Sequence, residues 1–274
     1  MDINNEKISV DMSKIITTKE QEEINVKSII SDFWEVYSIV YPELENTTPY
    51  KKLLYTFTNK VKIGNNSKIL DLGSGTGNVA SYILSQNRYT PFQIECIDQS
   101  PKMIQHLQKR FSDENKIIIK QGNLGSPDFW IENYDKFSHI FANLVYPYII
   151  NYGDIQGDSV ILELLKQSYN KLYHGGYLVW SSPTENVNFN WVFLNAIRNA
   201  DQLRGGFSEI KRRSKNSIKI LSHAKKIEEF GKRKYFHFLN KIDLIRYMEQ
   251  SGFNDITIEK SFAKQVYIIK GRKI

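Results

Sequence analysis

The chain has 274 residues and almost no cysteine; Cys96 stands alone. One thiol excludes an intrachain disulfide, a multi-cysteine zinc site and a cysteine-ligated iron–sulfur cluster. Lying in an apolar run, it reads as a small buried side chain, and its isolation points to the cytoplasm. No apolar run approaches the roughly 20 residues of a membrane span, so no membrane partner is expected. The first residues, Met1 to Glu6, lack a basic start and an apolar stretch, so no secretory signal is expected. Internal repeats and low-complexity tracts are missing, and no catalytic dyad is legible.

What is present is most concentrated in Lys68-Ile-Leu-Asp-Leu-Gly-Ser-Gly-Thr-Gly-Asn-Val-Ala80. An apolar run ends in Asp71. A turn follows with Gly73, Gly75 and Gly77, and a helical pattern starts at about Asn78. Strand, turn and helix in that order bring a ligand against bare backbone. A dinucleotide site needs G-x-G-x-x-G. Here the spacing is G-x-G-x-G, with Asn78 where the third glycine would stand. Asp71 would also repel a pyrophosphate and attract a cation.

A second strand is read over Pro91–Asp98, again ending in an acid. Asp98 lies 21 residues beyond Gly77, close to the offset of about 20 at which an acid accepts from ribose hydroxyls. Gln99, Ser100 and Pro101 follow, the last two as N-cap and first position of a helix that carries Met103. Ile117–Leu124 reads as a third strand and its exit, and Phe137–Asn143 as a fourth. A helical pattern covers about Val160–Leu172. The segment Lys171–Trp180 turns into a fifth strand. Lys241–Phe253 reads as a helix stopped by Gly252, and strands follow over Asp255–Glu259 and Gln265–Ile269.

These motifs resemble the class I S-adenosylmethionine (SAM)-dependent methyltransferases over about Asn65–Ile269. The resemblance implies an α/β fold: a Rossmann-like, seven-stranded, mostly parallel sheet with helices on both faces and a last antiparallel strand. It adds an N-terminal helical cap and an insertion after strand 5. The expected division is 1–62 as cap, 63–183 as SAM-binding core, 184–238 as a basic insertion over the substrate, and 239–274 as closing helix and strands. The implied cofactor is SAM, leaving as S-adenosylhomocysteine, with no metal. Asp71, Gly73, Gly75 and Gly77 would hold its methionine part and Asp98 its ribose. Gln99, Met103, Asn123 and Leu124 would lie about the adenine. Many relatives carry aspartate at the position of Asn123, where an amide accepts without charge assistance. Asn143, after the fourth strand, is a further cofactor contact, and Tyr37 is the aromatic expected to reach the sulfonium from the cap.

For the acceptor, the sequence offers Tyr146 beyond the fourth strand and His223 in the insertion; a histidine titrates where a base is useful. His139 reads as a sheet residue, and His237 falls in a strand-like alternation after Tyr235 and Phe236. Between Arg204 and Lys234 there are 11 Lys or Arg against 3 Glu, more than the whole net charge of +7. That segment is read as facing an anion: a charged small substrate, an acidic carrier protein or nucleic acid. The leading function is methylation of O, N or C in a small molecule. The alternatives are an RNA or DNA methyltransferase, although Asn143-Leu-Val-Tyr146 lacks paired prolines, and a SAM-binding protein without turnover. Monomer and homodimer stay open.

Overall fold

The computed structural model describes residues 26, 28–36, 45, 47–132, 135–192 and 221–274. Two compact units divide the chain, Met1–Val40 and Tyr41–Ile274. In the first, helix α1 (28–36) brings the rings of Phe33 and Trp34 edge to face at 5.0 Å. Tyr37 and the basic cluster Lys211–Lys215 lie outside the described residues.

The second unit is built on one sheet. After α2 (Thr48–Thr58), the chain alternates β1 (Ser67–Leu72), α3 (Asn78–Gln86), β2 (Phe92–Asp98), α4 (Pro101–Arg110), β3 (Ile117–Gln121), α5 (Pro127–Glu132) and β4 (Phe137–Asn143). A small hairpin, β5 (Asn151–Tyr152) and β6 (Ile155–Gln156), precedes α6 (Ser159–Lys171) and β7 (Leu172–Pro183). Helix α7 (221–232), α8 (Lys241–Gln250), β8 (Asn254–Ser261) and β9 (Val266–Arg272) complete it. The seven-stranded sheet has the order β3-β2-β1-β4-β7-β9-β8, and β9 alone runs against its neighbours. This is the expected sheet.

Strands of such a sheet are covered on both faces and read as near-continuous apolar runs. In β1, Leu70 and Leu72 enter one core with Val160, Ile161, Leu164 and Leu165 of α6 and Met248 of α8. Ile69 enters the opposite core with Ile83 of α3, Leu107 of α4 and Leu53, Leu54 and Phe57 of α2. Burying each such side chain contributes about 1.5–3 kcal/mol. Helix α2 is thus part of the sheet's packing layer.

Helix ends set how each segment reaches the sheet. Asn240 caps α8, its Oδ1 accepting from the amides of Ile242 and Asp243 at 2.9 and 3.0 Å. At the other end Gly252 sits at φ +92°. The amide of Phe253 reaches back to Met248 and that of Gly252 to Glu249, a Schellman ending. The strand-like reading of His237 does not hold: residues 235–240 form an irregular connection between α7 and α8. The backbone N–H of His237 goes instead to Pro147 O, at 2.8 Å.

Candidate cofactor and substrate site

From β1 the chain builds β2 and β3 on one side, then crosses over to β4 on the other. The carboxyl ends of β1 and β4 therefore splay apart, and a crevice forms at that switch point. Asp71, Asp98 and Asn143 close β1, β2 and β4 there.

The turn after β1 is shaped by its glycines. Gly73, Gly75 and Gly77 have φ of +60°, +55° and +83°, a region that L side chains rarely enter. At two of them space is short as well. A Cβ on Gly73 would stand 2.6 Å from Val145 Cγ2, and one on Gly77 would stand 2.4 Å from Phe111 Cε2. Gly77 also provides the N-cap position of α3 without any side-chain cap. The first amides of α3 have no intrahelical partner; that of Ala80 turns to Asp71, and a ligand can take the others.

Asp71 is almost fully enclosed, at 1% exposure. Loss of solvation pushes its carboxyl up to about 8, with Asp98 adding to the rise and Ser74 and the Ala80 amide opposing it. Its Oδ2 is buried without a hydrogen-bond partner among the described residues. A buried carboxylate oxygen without a donor is costly. An ammonium group would satisfy it and return the acid to its charged form.

Asp98 faces the same turn. Its Oδ2 accepts from the Gly75 amide at 2.8 Å and its Oδ1 from the Ser100 amide at 2.9 Å. Burial still holds its carboxyl above the usual carboxylate range. Each oxygen keeps acceptor capacity for ribose hydroxyls. The Ser74 amide binds Ile97 O at 2.8 Å, so two bonds tie the turn to β2.

Three residues that the sequence reading passed over hold the site: Glu45 and Arg110 on this turn, and Ser181 on the loop after β4. Thr76 Oγ1 donates to the Glu45 carboxylate. Arg110 Nη1 donates to Thr76 O at 2.8 Å and to Asn78 Oδ1 at 3.0 Å. Ser181, on β7, donates to Asn143 Oδ1 and accepts from the Leu144 amide, each at 2.8 Å. Leu144 has φ +57°, a strained setting for a leucine and one that marks functional loops. The only sequence signal was polar residues beside a glycine turn; the long-range partners carry no local mark.

At the far side, Met103 is half-buried in the first turn of α4, and Gln99 is exposed. The Gln99 carbonyl accepts from Gln121 Nε2 at 3.1 Å. Asn123 is exposed, and its Oδ1 accepts the Gly125 amide at 2.9 Å, leaving one lone pair for a ligand. Leu124 turns into the apolar core with Ile97 and Trp130, and its carbonyl accepts from Trp130 Nε1 at 2.9 Å. Its side chain belongs to the core and not to the crevice.

Of the two expected acceptor residues, Tyr146 is removed from the crevice. Its ring is fully buried against Trp180, centroids 5.6 Å apart, and its hydroxyl meets Ser168 Oγ of α6 at 2.5 Å. Burial raises the phenol well above its ordinary value, so it serves packing. His223 stands on α7, where desolvation first and Lys226 second hold its imidazole below the usual range. His139 is buried in β4, as expected, and held down at about 4 by desolvation. Among the described residues no cluster of three or more His, Cys, Asp or Glu is arranged to hold a metal, and no helix is long and apolar enough to cross a membrane.

Comparisons with known proteins agree with this geometry. A family model described as a methyltransferase domain matches residues 47–258. A search of curated proteins found no match. Among solved structures, human N-acetylserotonin methyltransferase, in complex with SAM, is 14% identical with a TM-score of 0.51, over 80% of this chain and 51% of that one. The CurJ carbon methyltransferase is 16% identical with a TM-score of 0.56, over 84% and 56%. This chain thus spans about half the length of those two. A Haloferax volcanii structure that pairs the Trm112 methyltransferase activator with a methyltransferase partner is 9% identical with a TM-score of 0.56, over 88% and 96%. The matched model covers most of the chain: it belongs to the methyltransferase domain family, with the fold of the class I SAM-dependent methyltransferases.

Proposed function

We propose that the protein moves the methyl group of SAM to a small-molecule acceptor, in the cytoplasm. The observation that carries this reading is the unpartnered Oδ2 of Asp71 beside the left-handed Gly73–Gly77 turn. The methionine ammonium of SAM supplies the missing donor, and its carboxylate suits the uncapped start of α3. Asp98 takes the ribose hydroxyls, and Met103 and Asn123 border the adenine. Asn143, locked by Ser181, stands at the β4 side of the sulfur. When bound, the cofactor supplies an already activated methyl carbon. The protein then has to align the acceptor and exclude water, effects worth up to about 7–11 kcal/mol in well-oriented systems.

The 204–234 segment, with its balance of +8, favours an acceptor carrying carboxylate or phosphate, free or on an acidic carrier. Nucleic acid is the second reading of the same charge. Titration with S-adenosylhomocysteine in a calorimeter tests the cofactor half, and absence of heat defeats it. Incubation with SAM and a panel of anionic phenols, amines and hydroxy acids, with released S-adenosylhomocysteine as readout, tests the acceptor half. Turnover only with tRNA or DNA, weakening steeply with salt, would replace the small-molecule reading.

A further inference from the structure

A second buried polar group lacks a partner on the carboxyl-end side of the sheet. His237 is 3% exposed, and its Nδ1 lies 3.3 Å from Asp158 Oδ1. Its Nε2 is buried with no hydrogen-bond partner among the described residues. Buried ring nitrogens are ordinarily satisfied, so one left bare has the geometry of a group awaiting a ligand.

Topology places this pair on the carboxyl-end side of the sheet, the side on which the crevice opens. Asp158 immediately precedes α6, which returns the chain to the start of the parallel strand β7, so α6 begins at the carboxyl-end rim. His237 lies just before α8, which returns the chain to β8 in the same sense. The His237 amide is bonded to Pro147 O, four residues beyond Asn143. The site residues Asn143 and Leu144 and the anchor of His237 therefore share one short connection. On the same connection, Tyr148 packs edge to face against Phe236 and Phe238, the residues on either side of His237, at 4.9 and 5.9 Å between centroids.

The hydrogen bonding decides the tautomer. A carboxylate beside Nδ1 accepts a hydrogen bond from a proton on that nitrogen and leaves Nε2 as the acceptor. The Asp158 carboxyl is held below its usual range, chiefly by its hydrogen bond to His237, with Lys234 contributing. It therefore stays ionised and balances an imidazolium. Asp158 is itself partly open to solvent, which gives a proton a way out.

We infer that His237 Nε2 is the general base of the transfer, with Asp158 as its positioning residue, and that the acceptor is a hydroxyl or protonated amine. The inference rests on the SAM-dependent reading above. His237 Nε2 takes the proton from the acceptor oxygen or nitrogen. The bond from that atom to the methyl carbon forms as the carbon–sulfur bond breaks, and the electron pair stays on sulfur as a neutral thioether. A base so placed contributes typically 10²–10⁴-fold.

The test needs no identified acceptor. A base within reach of the nucleophile stands near the sulfonium, whose charge disfavours the imidazolium; the thioether of S-adenosylhomocysteine does not. The full-length protein with ¹⁵N-histidine is titrated by NMR with saturating SAM, then with saturating S-adenosylhomocysteine. His237→Gln assigns the resonance. Asp158 and Lys234, the charged groups about His237, are common to both titrations. At one fixed pH, the ¹⁵N signals of the His237 ring are expected to differ between the two complexes, since only SAM brings a positive charge within reach. The ring signals of His174, at the amino end of β7, should be the same in both, and the proton of neutral His237 should be on Nδ1. Equal His237 signals with both compounds, or a proton on Nε2, overturn the inference while leaving the cofactor site intact. A lack of heat with either compound removes the cofactor site and the base together.

Discussion

At the scale of single residues, function and stability conflict at Asp71. Its carboxyl sits near 8 in the folded protein against 3.8 for the free group. The folded state therefore holds a proton that the unfolded chain releases between those values. This contribution to stability is complete below about pH 4 and is lost as pH rises to 8. Asp71→Asn keeps the shape and removes the titration. The variant should match the wild type near pH 4 and exceed it in thermal stability at pH 8. It should also bind S-adenosylhomocysteine about 10–100-fold more weakly, since it loses a charge-assisted hydrogen bond. Equal affinity for the two proteins, measured by calorimetry, would show that Asp71 does not face the ammonium. Tyr146 shows the limits of such reading from sequence. Its place after β4 marked it for the crevice, but the chain rotates through Leu144 at φ +57° and sends the ring inward to Trp180 and Ser168. That rotation leaves no trace in the residue order.

At the scale of elements, the turn between β1 and α3 was legible because its constraints are local. Gly73, Gly75 and Gly77 occupy left-handed positions that follow from strand, turn and helix in sequence. Helix α8 was legible for the same reason, with its Asn240 cap and Gly252 stop. What holds the turn and the neighbouring end of β4 was not legible. Glu45, Arg110 and Ser181 act on Thr76, Asn78 and Asn143 from 31 to 38 positions away. His237 was misread as strand because alternation over four residues is also what a loop wedged between aromatic neighbours shows. The packing of the turn gives a sharp test at Gly77. A Cβ there meets Phe111 and Leu107 and demands φ +83° of a residue that resists it. Gly77→Ala should destabilise by about 2–4 kcal/mol, the strained backbone adding to the overpacking, and should weaken S-adenosylhomocysteine binding with it. Chemical denaturation measures the first and calorimetry the second. Trimming Phe111 to leucine in the Gly77→Ala background should return part of the stability. If it returns none, the clash is not the cause.

At the scale of the whole molecule, the cofactor completes a fold that leaves buried polar atoms at its working edge. S-adenosylhomocysteine at 100 times its dissociation constant stabilises by about 2.7 kcal/mol. For a domain of this size that is a melting-temperature rise of roughly 5–10 °C. The size of the rise should depend on pH, and its sign follows from Asp71. Between pH 4 and 8 the free protein carries a proton on that acid, and the ammonium of the ligand displaces it on binding. Each unit of pH lowered in this window therefore costs about tenfold in affinity. Above about 8 the amino group of the ligand begins to lose its own proton, so affinity should peak near that pH. Titration at pH 7 in two buffers of different ionisation heat should accordingly register release of up to one proton per ligand bound. An affinity that is flat from pH 5 to 8, with no proton exchanged, would mean that the buried carboxyl of Asp71 and the amino group of the ligand never meet. The raised acid would then be a feature of the core and not of the site.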